Sequence, residues 1–170
     1  MDGISLRLVT QSSWQETIQL AVRPEQQQFV ADHAPIALLG LAKAYVRPGG
    51  LMWEPYAIYV GNAAGNPAET VAGQTMVGFL ELAYEPGSVD EYWLFHFFID
   101  QRFQGRGYAK AALACLIALV TREHPECQAL QLVVHPQNSH AQRLYRGAGF
   151  RPTGGERWGE PVYCLHLDGA

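Results

Sequence analysis

The sequence is poor in charge. Only 16% of its 170 residues are charged, the formal net charge is −4 at pH 7, and no run of lysines and arginines occurs. A chain without a basic patch lacks the electrostatic attraction that drives binding to nucleic acid. The composition therefore argues against a nucleic-acid partner and is compatible with a cationic substrate.

Long apolar runs are also missing, and we expect no secretion leader. No stretch approaches the roughly 20 apolar residues that a membrane-spanning helix needs. The first residues, MDGISLRLVT, lack the basic and then apolar pattern of a secretory leader. Apolar residues nevertheless make up 48% of the chain, enough for a sizeable core. We expect one domain spanning residues 1–170, in a cytoplasmic protein that is a monomer or a homodimer and does not bind membranes.

The three cysteines, Cys115, Cys127 and Cys164, are an odd number without the spacing of metal ligands. Reduced thiols of this kind are typical of cytosolic proteins. We therefore predict structural cysteines and no metal site.

The stretch from Trp93 to Lys110, WLFHFFIDQRFQGRGYAK, predicts a strand, a loop and the start of a helix. Its aromatic and branched residues 93–99 favour a buried strand. Gly105 and Gly107 then leave the backbone open to a ligand. The helix is indicated by apolar residues at helical spacing, Leu113, Leu116, Ile117 and Val120. Free N–H groups and the positive dipole end at its start favour an anion, most often a phosphate.

This glycine loop is open to several interpretations. It can be an ordinary strand–helix corner in which the glycines only make the turn. A dinucleotide fingerprint is disfavoured because Lys110 takes the third small position and the next strand ends in Val134-His135, without an acidic residue for a ribose. A nucleoside-triphosphate loop is excluded, since no Gly-Lys-Ser/Thr is present. The remaining interpretation is a pyrophosphate cradle of the kind that binds coenzyme A.

Two motifs in consistent order and spacing carry a family resemblance. The first is QGRGYA, from Gln104 to Ala109, and the second runs from Leu132 to Phe150 and contains VVHPQN, AQRLY and Gly149-Phe150. Together they resemble the signature of the GNAT superfamily of acetyl-CoA-dependent N-acetyltransferases. The resemblance is close over residues 70–168 and holds only in pattern before them.

The resemblance implies an α/β (α+β) fold, the GNAT fold. A mixed, mostly antiparallel sheet of six to seven strands then carries helices on both faces, and its fourth and fifth strands splay apart. Periodicity and turn residues fit this order, and Ser13 with Glu16 forms a capping box that predicts the first helix. The predicted strands are 4–8, 56–60, 74–84, 93–99, 128–135, 150–153 and 162–167. The predicted helices are 13–22, one restarting at 24, 36–45, 108–122 and 139–146, with a turn over Asn62 to Glu69.

By the same resemblance, acetyl-CoA is the co-substrate and lies in the splay. The main-chain groups of Phe98 and Ile99 would pair with its amide-bearing arm, and Asn138, a good N-cap in any protein, would also touch that arm. Arg106 and Lys110 would add charge or remain solvated surface cations. The pyrophosphate would be wrapped by the N–H groups of Gln104, Gly105, Arg106, Gly107, Tyr108 and Ala109.

The resemblance also places Tyr145 as the general acid. A phenol with a reference pKa of about 10 can protonate a leaving thiolate, although a tyrosine here can also be a core residue. The general base stays open among His96, Glu91, Glu81 and a chain of waters. His96 interrupts an apolar strand, where a lone histidine is more often structural, and Glu91 with Asp90 can instead hold a cation.

Within the superfamily, the sequence resembles bacterial spermine/spermidine and diamine acetyltransferases, which implies a polyamine acceptor. The resemblance includes Trp14, Glu25-Gln26 and Glu91-Tyr92-Trp93. An amine antibiotic, an amino-acid-like amine and a non-catalytic acyl-CoA sensor are the alternatives. Acids mixed with aromatics could hold a polyamine by charge and cation–π contacts. These are Glu54, Glu81, Asp90 and Glu91, with Trp53, Tyr56 and Trp93.

Overall fold

The computed structural model describes residues 3–61 and 73–167. The predicted turn over Asn62 to Glu69 lies outside them. Within these ranges, the strands are β1 (Ile4–Leu8), β2 (Met52–Gly61), β3 (Gln74–Tyr84), β4 (Tyr92–Ile99), β5 (Ala129–Val133), β6 (Arg151–Arg157) and β7 (Glu160–His166). The helices are α1 (Trp14–Thr17), α2 (Ile36–Val46), α3 (Tyr108–Glu123) and α4 (Ser139–Gly147), with 3₁₀ turns at Pro24–Phe29 and Pro48–Gly50.

The strands form one sheet in the order β1-β2-β3-β4-β5-β7-β6. Neighbouring strands are antiparallel except β4 and β5, which run parallel and pair only at Tyr92 with Leu130 and Trp93 with Gln131. Beyond Trp93, the β5-facing edge of β4 has no strand partner in the described chain. The predicted mixed sheet with splayed central strands is therefore confirmed.

Helices cover both faces of this sheet, as predicted. On one face α3 buries Leu113 and Leu116 in a cluster that includes Leu80 of β3. On the other face α2 buries Ile36 in a second cluster that includes Phe79. Each such side chain contributes about 1.5–3 kcal/mol when fully removed from water. No helix in the described ranges has the length and apolar content to cross a membrane.

The first helix is much shorter than predicted. It covers only Trp14–Thr17, and Ser13 makes no side-chain cap to it. Ser13 Oγ instead accepts a hydrogen bond from the Thr10 N–H at 2.9 Å. The predicted capping box is wrong because its serine is engaged by the preceding turn.

Tertiary hydrogen bonds explain why this helix does not continue. The Ala21 N–H donates to Asp100 Oδ2 at 3.0 Å, and the Ala21 carbonyl accepts from the Gln101 N–H at 2.8 Å. The bond to Asp100 engages the Ala21 N–H, which a helix up to Val22 would need for its own ladder.

The helix predicted to restart at 24 is only the 3₁₀ turn Pro24–Phe29. The remaining elements agree with prediction in kind and differ at their ends. β2 begins at Met52 rather than 56, β6 ends at Arg157 rather than 153, and β5 ends at Val133 rather than 135. Such ends depend on pairing between strands, which local residue patterns do not specify.

Candidate active site

A β-bulge in β4 displaces His96 from the regular pleat. Phe79 pairs with Phe98 and Glu81 pairs with Phe95. Between these two pairs, β4 therefore has one residue more than β3. His96 has a left-handed φ of 49°, a conformation that costs a non-glycine residue about 1–3 kcal/mol. Bulges of this kind re-aim side chains and are frequent beside active sites.

Lys43 of α2 and Glu81 of β3 meet the His96 imidazole. Lys43 Nζ lies 2.9 Å from His96 Nε2, and Glu81 Oε2 lies 3.8 Å from the same nitrogen. On the other side of the ring, His96 Nδ1 lies 3.3 Å from the Val30 carbonyl oxygen. Because a carbonyl can only accept, Nδ1 carries the proton, and Nε2 presents its lone pair to Lys43.

The close approach of α2 to β3 depends on Gly40. A Cβ at this position would lie 2.6 Å from a ring carbon of Phe79 and 3.4 Å from the carboxyl carbon of Glu81. Lys43 follows Gly40 by three residues and therefore projects from the same side of the helix. The glycine thus sets the depth at which Lys43 reaches His96.

Burial favours the neutral forms of these three groups. Among the described residues, neither carboxyl oxygen of the fully buried Glu81 has a hydrogen-bond partner. Burial raises the pKa of Glu81 to about 8, although the charge of Lys43 opposes the shift. Burial and then the charge of Lys43 lower the pKa of His96 to about 4, against the hydrogen bond to Val30. Burial also lowers the pKa of Lys43, against the attraction of Glu81. At pH 7 His96 is therefore neutral, and its contact with Glu81 is not an ion pair.

Four aromatic rings, which we call the aromatic cluster, adjoin this group. Its members are Trp53, Trp93, Phe95 and Trp158. The centroid of Phe95 lies 5.0 Å from that of Trp53 and 5.4 Å from that of Trp158. Because Trp158 comes from the turn between β6 and β7, three parts of the chain build this surface.

The aromatic cluster already carries two cationic side chains. Lys43 Nζ lies 4.8 Å from the centroid of Trp53, and the guanidinium carbon of Arg157 lies 4.2 Å from that of Trp93. Each also contacts a second ring of the cluster. Cation–π attraction acts at these distances, so this surface can bind amino groups.

Glu91 lies at the opposite end of β4 from His96. Its Oε2 accepts a hydrogen bond from Trp93 Nε1 at 2.8 Å and pairs with Arg157 at 3.4 Å. His96 follows Glu91 by five positions in the sequence, about 16 Å at roughly 3.3 Å per residue. The structure therefore places Glu81 beside His96 and leaves Glu91 at the aromatic cluster.

The acids and aromatics predicted around the acceptor do not all share a face of the sheet. Glu54 accepts hydrogen bonds from the hydroxyls of Tyr56 and Tyr84 at 2.8 and 3.0 Å, and Tyr56 belongs to the core cluster under α3. Neighbouring strand residues point to opposite faces, so Trp53 points away from them. The prediction that Glu54 and Tyr56 join Trp53 at one acceptor surface is wrong.

The glycine loop keeps its backbone donors open. Gly105 and Gly107 have left-handed φ values of 78° and 80°, and a Cβ on either would meet no atom within 4 Å. None of the N–H groups of residues 104–107 donates a hydrogen bond of ordinary geometry to a described residue. Tyr108 and Ala109 open α3, so their N–H groups also lack intrahelical partners. Free donors, a positive helix end and open space together fit a pyrophosphate.

Side-chain hydrogen bonds that the sequence did not predict hold this loop in place. Asp100 is 1% exposed and accepts hydrogen bonds from the N–H and the guanidinium of Arg102 at 2.9 and 2.7 Å. Gln104 Nε2 donates to Gln26 Oε1 at 2.8 Å and to the Ile99 carbonyl at 3.0 Å. One backbone group predicted to face the cofactor arm therefore already has a partner within the protein.

The other predicted cofactor residues surround the same loop. Phe98 is buried in β4 beside the splay. The guanidinium of Arg106 lies 5.7 Å from the centroid of Phe103, and Lys110 is exposed in the first turn of α3. Their contacts with a cofactor stay predictions.

The last two predicted residues lie on α4. Asn138 Oδ1 accepts a hydrogen bond from the Ala141 N–H at 3.1 Å, which confirms that Asn138 is the N-cap of α4. Tyr145 is buried, and its ring centroid lies 5.8 Å from that of Phe150. Burial raises the pKa of Tyr145, so the phenol is a neutral proton donor at pH 7. No hydrogen bond or ring contact joins Tyr145 to His96 in the part of the chain that the structure covers.

In sequence, the chain is similar to known acetyltransferases. The model of the acetyltransferase (GNAT) family matches residues 38–150. Over 153 residues, the chain is 27% identical to the spermine/spermidine N(1)-acetyltransferase of Bacillus subtilis (strain 168), which covers 89% of this chain and 90% of that protein.

Solved structures share the fold at lower identity. The spermidine N-acetyltransferase of Vibrio cholerae, in complex with CoA and spermine, has a TM-score of 0.65 at 15% identity, over 96% of this chain and 94% of that one. A Salmonella typhimurium acetyl transferase that modifies the N-terminal serine of a 50S ribosomal subunit protein has a TM-score of 0.67 at 18% identity, over 98% and 96% of the two chains. At such identities the likeness shows the fold alone.

Proposed function

Since this chain belongs to the acetyltransferase (GNAT) family and is an acyltransferase that uses acetyl-CoA, we propose that it acetylates a primary amine of a polyamine or diamine. The acceptor binds at the aromatic cluster, beside His96. The observation that carries this proposal is that two cations of the chain itself, on Lys43 and Arg157, rest on the rings of that cluster. The ammonium groups of a polyamine are suited to the same ring faces. The 27% identity to a spermine/spermidine acetyltransferase supports this acceptor class.

The glycine loop and the splay between β4 and β5 support the binding of acetyl-CoA, the acetyl donor. The open N–H groups of residues 104–109 hold the pyrophosphate at the start of α3. The edge of β4 beyond Trp93 lacks a strand partner in the described ranges, and an amide-bearing arm satisfies such an edge. The acetyl group then lies near the bulge at His96.

The proton leaves the acceptor through His96. A neutral amine that attacks a thioester becomes positively charged and must lose a proton. Neutral His96 receives it at Nε2 when the acceptor amine displaces Lys43 Nζ from that nitrogen. Glu81 beside it, with a pKa raised to about 8 by burial, is the stronger base of the two. Tyr145 gives a proton to the leaving thiolate, and Glu91 binds the far amino group of the acceptor.

One observation favours a second acceptor class, amino-acid-like amines. Lys43 and Arg157 repel a polycation that approaches the same rings. The side chain of Arg157 is 37% exposed, and its ion pair with Glu91 is long, at 3.4 Å. A guanidinium binds carboxylates in a two-point geometry, so Arg157 could hold the carboxylate of such an acceptor.

Release of free thiol from acetyl-CoA in the presence of separate amines tests the proposal. The panel contains spermine, spermidine, a short diamine, an amino acid and an aminoglycoside. Fastest release with the polyamines supports the first acceptor class, and fastest release with the amino acid supports the second. Tight binding of acetyl-CoA without amine-dependent release would indicate a sensor and reject both.

A charge variant separates the two acceptor classes. Arg157→Gln should raise kcat/KM for spermine, because it removes a like charge, and lower it for an amine that carries a carboxylate. Arg122→Gln is the matched control, since Arg122 is an exposed arginine at the end of α3, away from the aromatic cluster. Equal effects of the two variants would remove Arg157 from acceptor binding.

A further inference from the structure

The proposed acceptor site contains an amine that belongs to the chain. Lys43 Nζ lies 2.9 Å from His96 Nε2 and rests on the rings of Trp53 and Phe95 at 4.8 and 5.1 Å. An acceptor amine that gives its proton to His96 needs this kind of placement, hydrogen-bonded to the base and held by aromatic faces.

Lysine is otherwise scarce in this protein. The sequence has two lysines, Lys43 and Lys110, against ten arginines. Lys110 is exposed on α3, whereas Lys43 is half-buried on α2 and directed at β4 by the close approach at Gly40. One of the only two lysines therefore lies at the proposed chemical centre.

We propose that Lys43 is itself an acetyl acceptor, so that the protein acetylates its own α2 when acetyl-CoA is bound and no free amine competes. This inference rests on the proposed function, because the acetyl donor must lie beside β4. Phe98, predicted to face the cofactor arm, is two residues beyond His96, about 7 Å along a strand. The contact of Lys43 with His96 thus brings its amine to the part of β4 where the acetyl group is expected.

The step is an ordinary transfer from a thioester to an amine. Neutral Lys43 Nζ attacks the carbonyl carbon, a C–N bond forms, and the C–S bond breaks. One proton of Nζ passes to His96 Nε2, and the sulfur leaves as a thiolate that takes up a proton. The products are an acetamide on Lys43 and free CoA. Burial lowers the pKa of Lys43, which raises the fraction of neutral, nucleophilic amine at pH 7.

The second lysine provides a control within the same molecule. Lys110 lies in the first turn of α3, next to the glycine loop, and is open to solvent. In the described ranges, no hydrogen bond or ion pair joins it to a histidine. Uncatalysed acetylation by acetyl-CoA should therefore modify Lys110, whereas the proposed transfer should modify Lys43.

The test is peptide mass mapping after incubation of the full chain with acetyl-CoA and no added amine. The acetylated fraction of Lys43 should exceed that of Lys110 by more than about tenfold at early times. His96→Gln should lower the rate at Lys43 by about a hundredfold, the low end of general-base catalysis, and leave Lys110 unchanged. Lys43→Arg should gain no acetyl group beyond the slow, uncatalysed modification of Lys110.

Each outcome decides the proposal. Equal modification of the two lysines, or an unmodified Lys43 in a protein that acetylates free amines, overturns it and leaves the proposed function standing. No transfer to either lysine or to any amine, with no binding of acetyl-CoA, rejects the proposed function as well. The lysine ratio in the unaltered protein needs no variant, so a failure of His96→Gln to fold does not affect this result.

Discussion

Lys43 Nζ and His96 Nε2 lie 2.9 Å apart, and this contact helps to set the charge of the proposed site. After burial, the charge of Lys43 is the second reason why the pKa of His96 falls to about 4. Such an imidazole is neutral throughout the physiological range, but it is a weak base. Glu81, with a pKa raised by burial to about 8, is the stronger base of the adjoining pair and therefore decides where a proton rests.

The pH dependence of turnover should follow Glu81 rather than a free histidine. As pH rises through about 8, Glu81 loses its proton and can take one passed on by His96, so kcat/KM should rise over that range. The measurement is a pH–rate profile with an acceptor whose own amine pKa is known. Glu81→Gln should remove this rise, and His96→Gln should lower kcat by about a hundredfold or more at every pH. A rise near pH 6.5 that survives Glu81→Gln would contradict the assignment.

Glu81 should also make the protein less stable in alkaline solution. Its pKa in the folded protein, about 8, lies above its ordinary value of 4.5, so the folded state holds the proton more tightly. The stabilising contribution is complete below pH 4.5 and is lost as pH rises through about 8. Glu81→Gln cannot ionise, so its melting temperature relative to the natural protein should increase from about pH 5 to about pH 9, by an amount equivalent to a few kcal/mol at ~1.4 kcal/mol per pKa unit.

A matched variant isolates burial as the cause. Glu85 lies in the exposed turn after β3, and Glu85→Gln removes the same charge without exchanging a buried group. Its melting temperature relative to the natural protein should stay level over the same pH range. A level difference for Glu81→Gln as well would mean that Glu81 is not held protonated in the folded protein.

Gly107→Asp should abolish tight binding of acetyl-CoA. A carboxylate at this position would enter the open space beside the free amides and repel the pyrophosphate, and its β-carbon would add strain at a φ of 80°. Calorimetric titration should show affinity lower by at least about tenfold, equivalent to 1.4 kcal/mol.

Gly87→Asp provides the control for strain and charge. Gly87 has a φ of 85° and open space around its Cα, and it lies in the turn between β3 and β4. The two variants should lose similar stability, but only Gly107→Asp should lose acetyl-CoA. Unchanged affinity in Gly107→Asp would reject the cradle.

The glycine loop and the helix behind it could be predicted because their signals are local. The spacing of Leu113, Leu116 and Val120 predicts α3, and all three side chains are fully buried. The glycines of the loop take the left-handed φ values that only glycine adopts without strain. Local residue types therefore carried the information for this half of the site.

The acceptor half could not be predicted in the same way, because it is assembled by tertiary contacts. The bulge at His96 exists only in the pairing of β4 with β3, and Lys43 reaches His96 only because α2 packs closely at Gly40. A single lysine within the apolar stretch IALLGLAKAYV was the one available signal for Lys43. The same dependence on tertiary contacts explains why the helix predicted up to Val22 ends early, since Asp100 binds the backbone of Ala21.

Tyr145→Phe should lower turnover while leaving acetyl-CoA affinity unchanged. The ring packs against Phe150, and that packing survives loss of the hydroxyl, whereas the neutral phenol proton that burial preserves is lost. We expect kcat to fall by about a hundredfold, the low end for a general acid, as measured in single turnovers. Tyr163→Phe removes a hydroxyl from a similarly buried tyrosine of β7 and should leave the rate intact. If the two variants turn over equally fast, Tyr145 is a core residue and another group must protonate the thiolate.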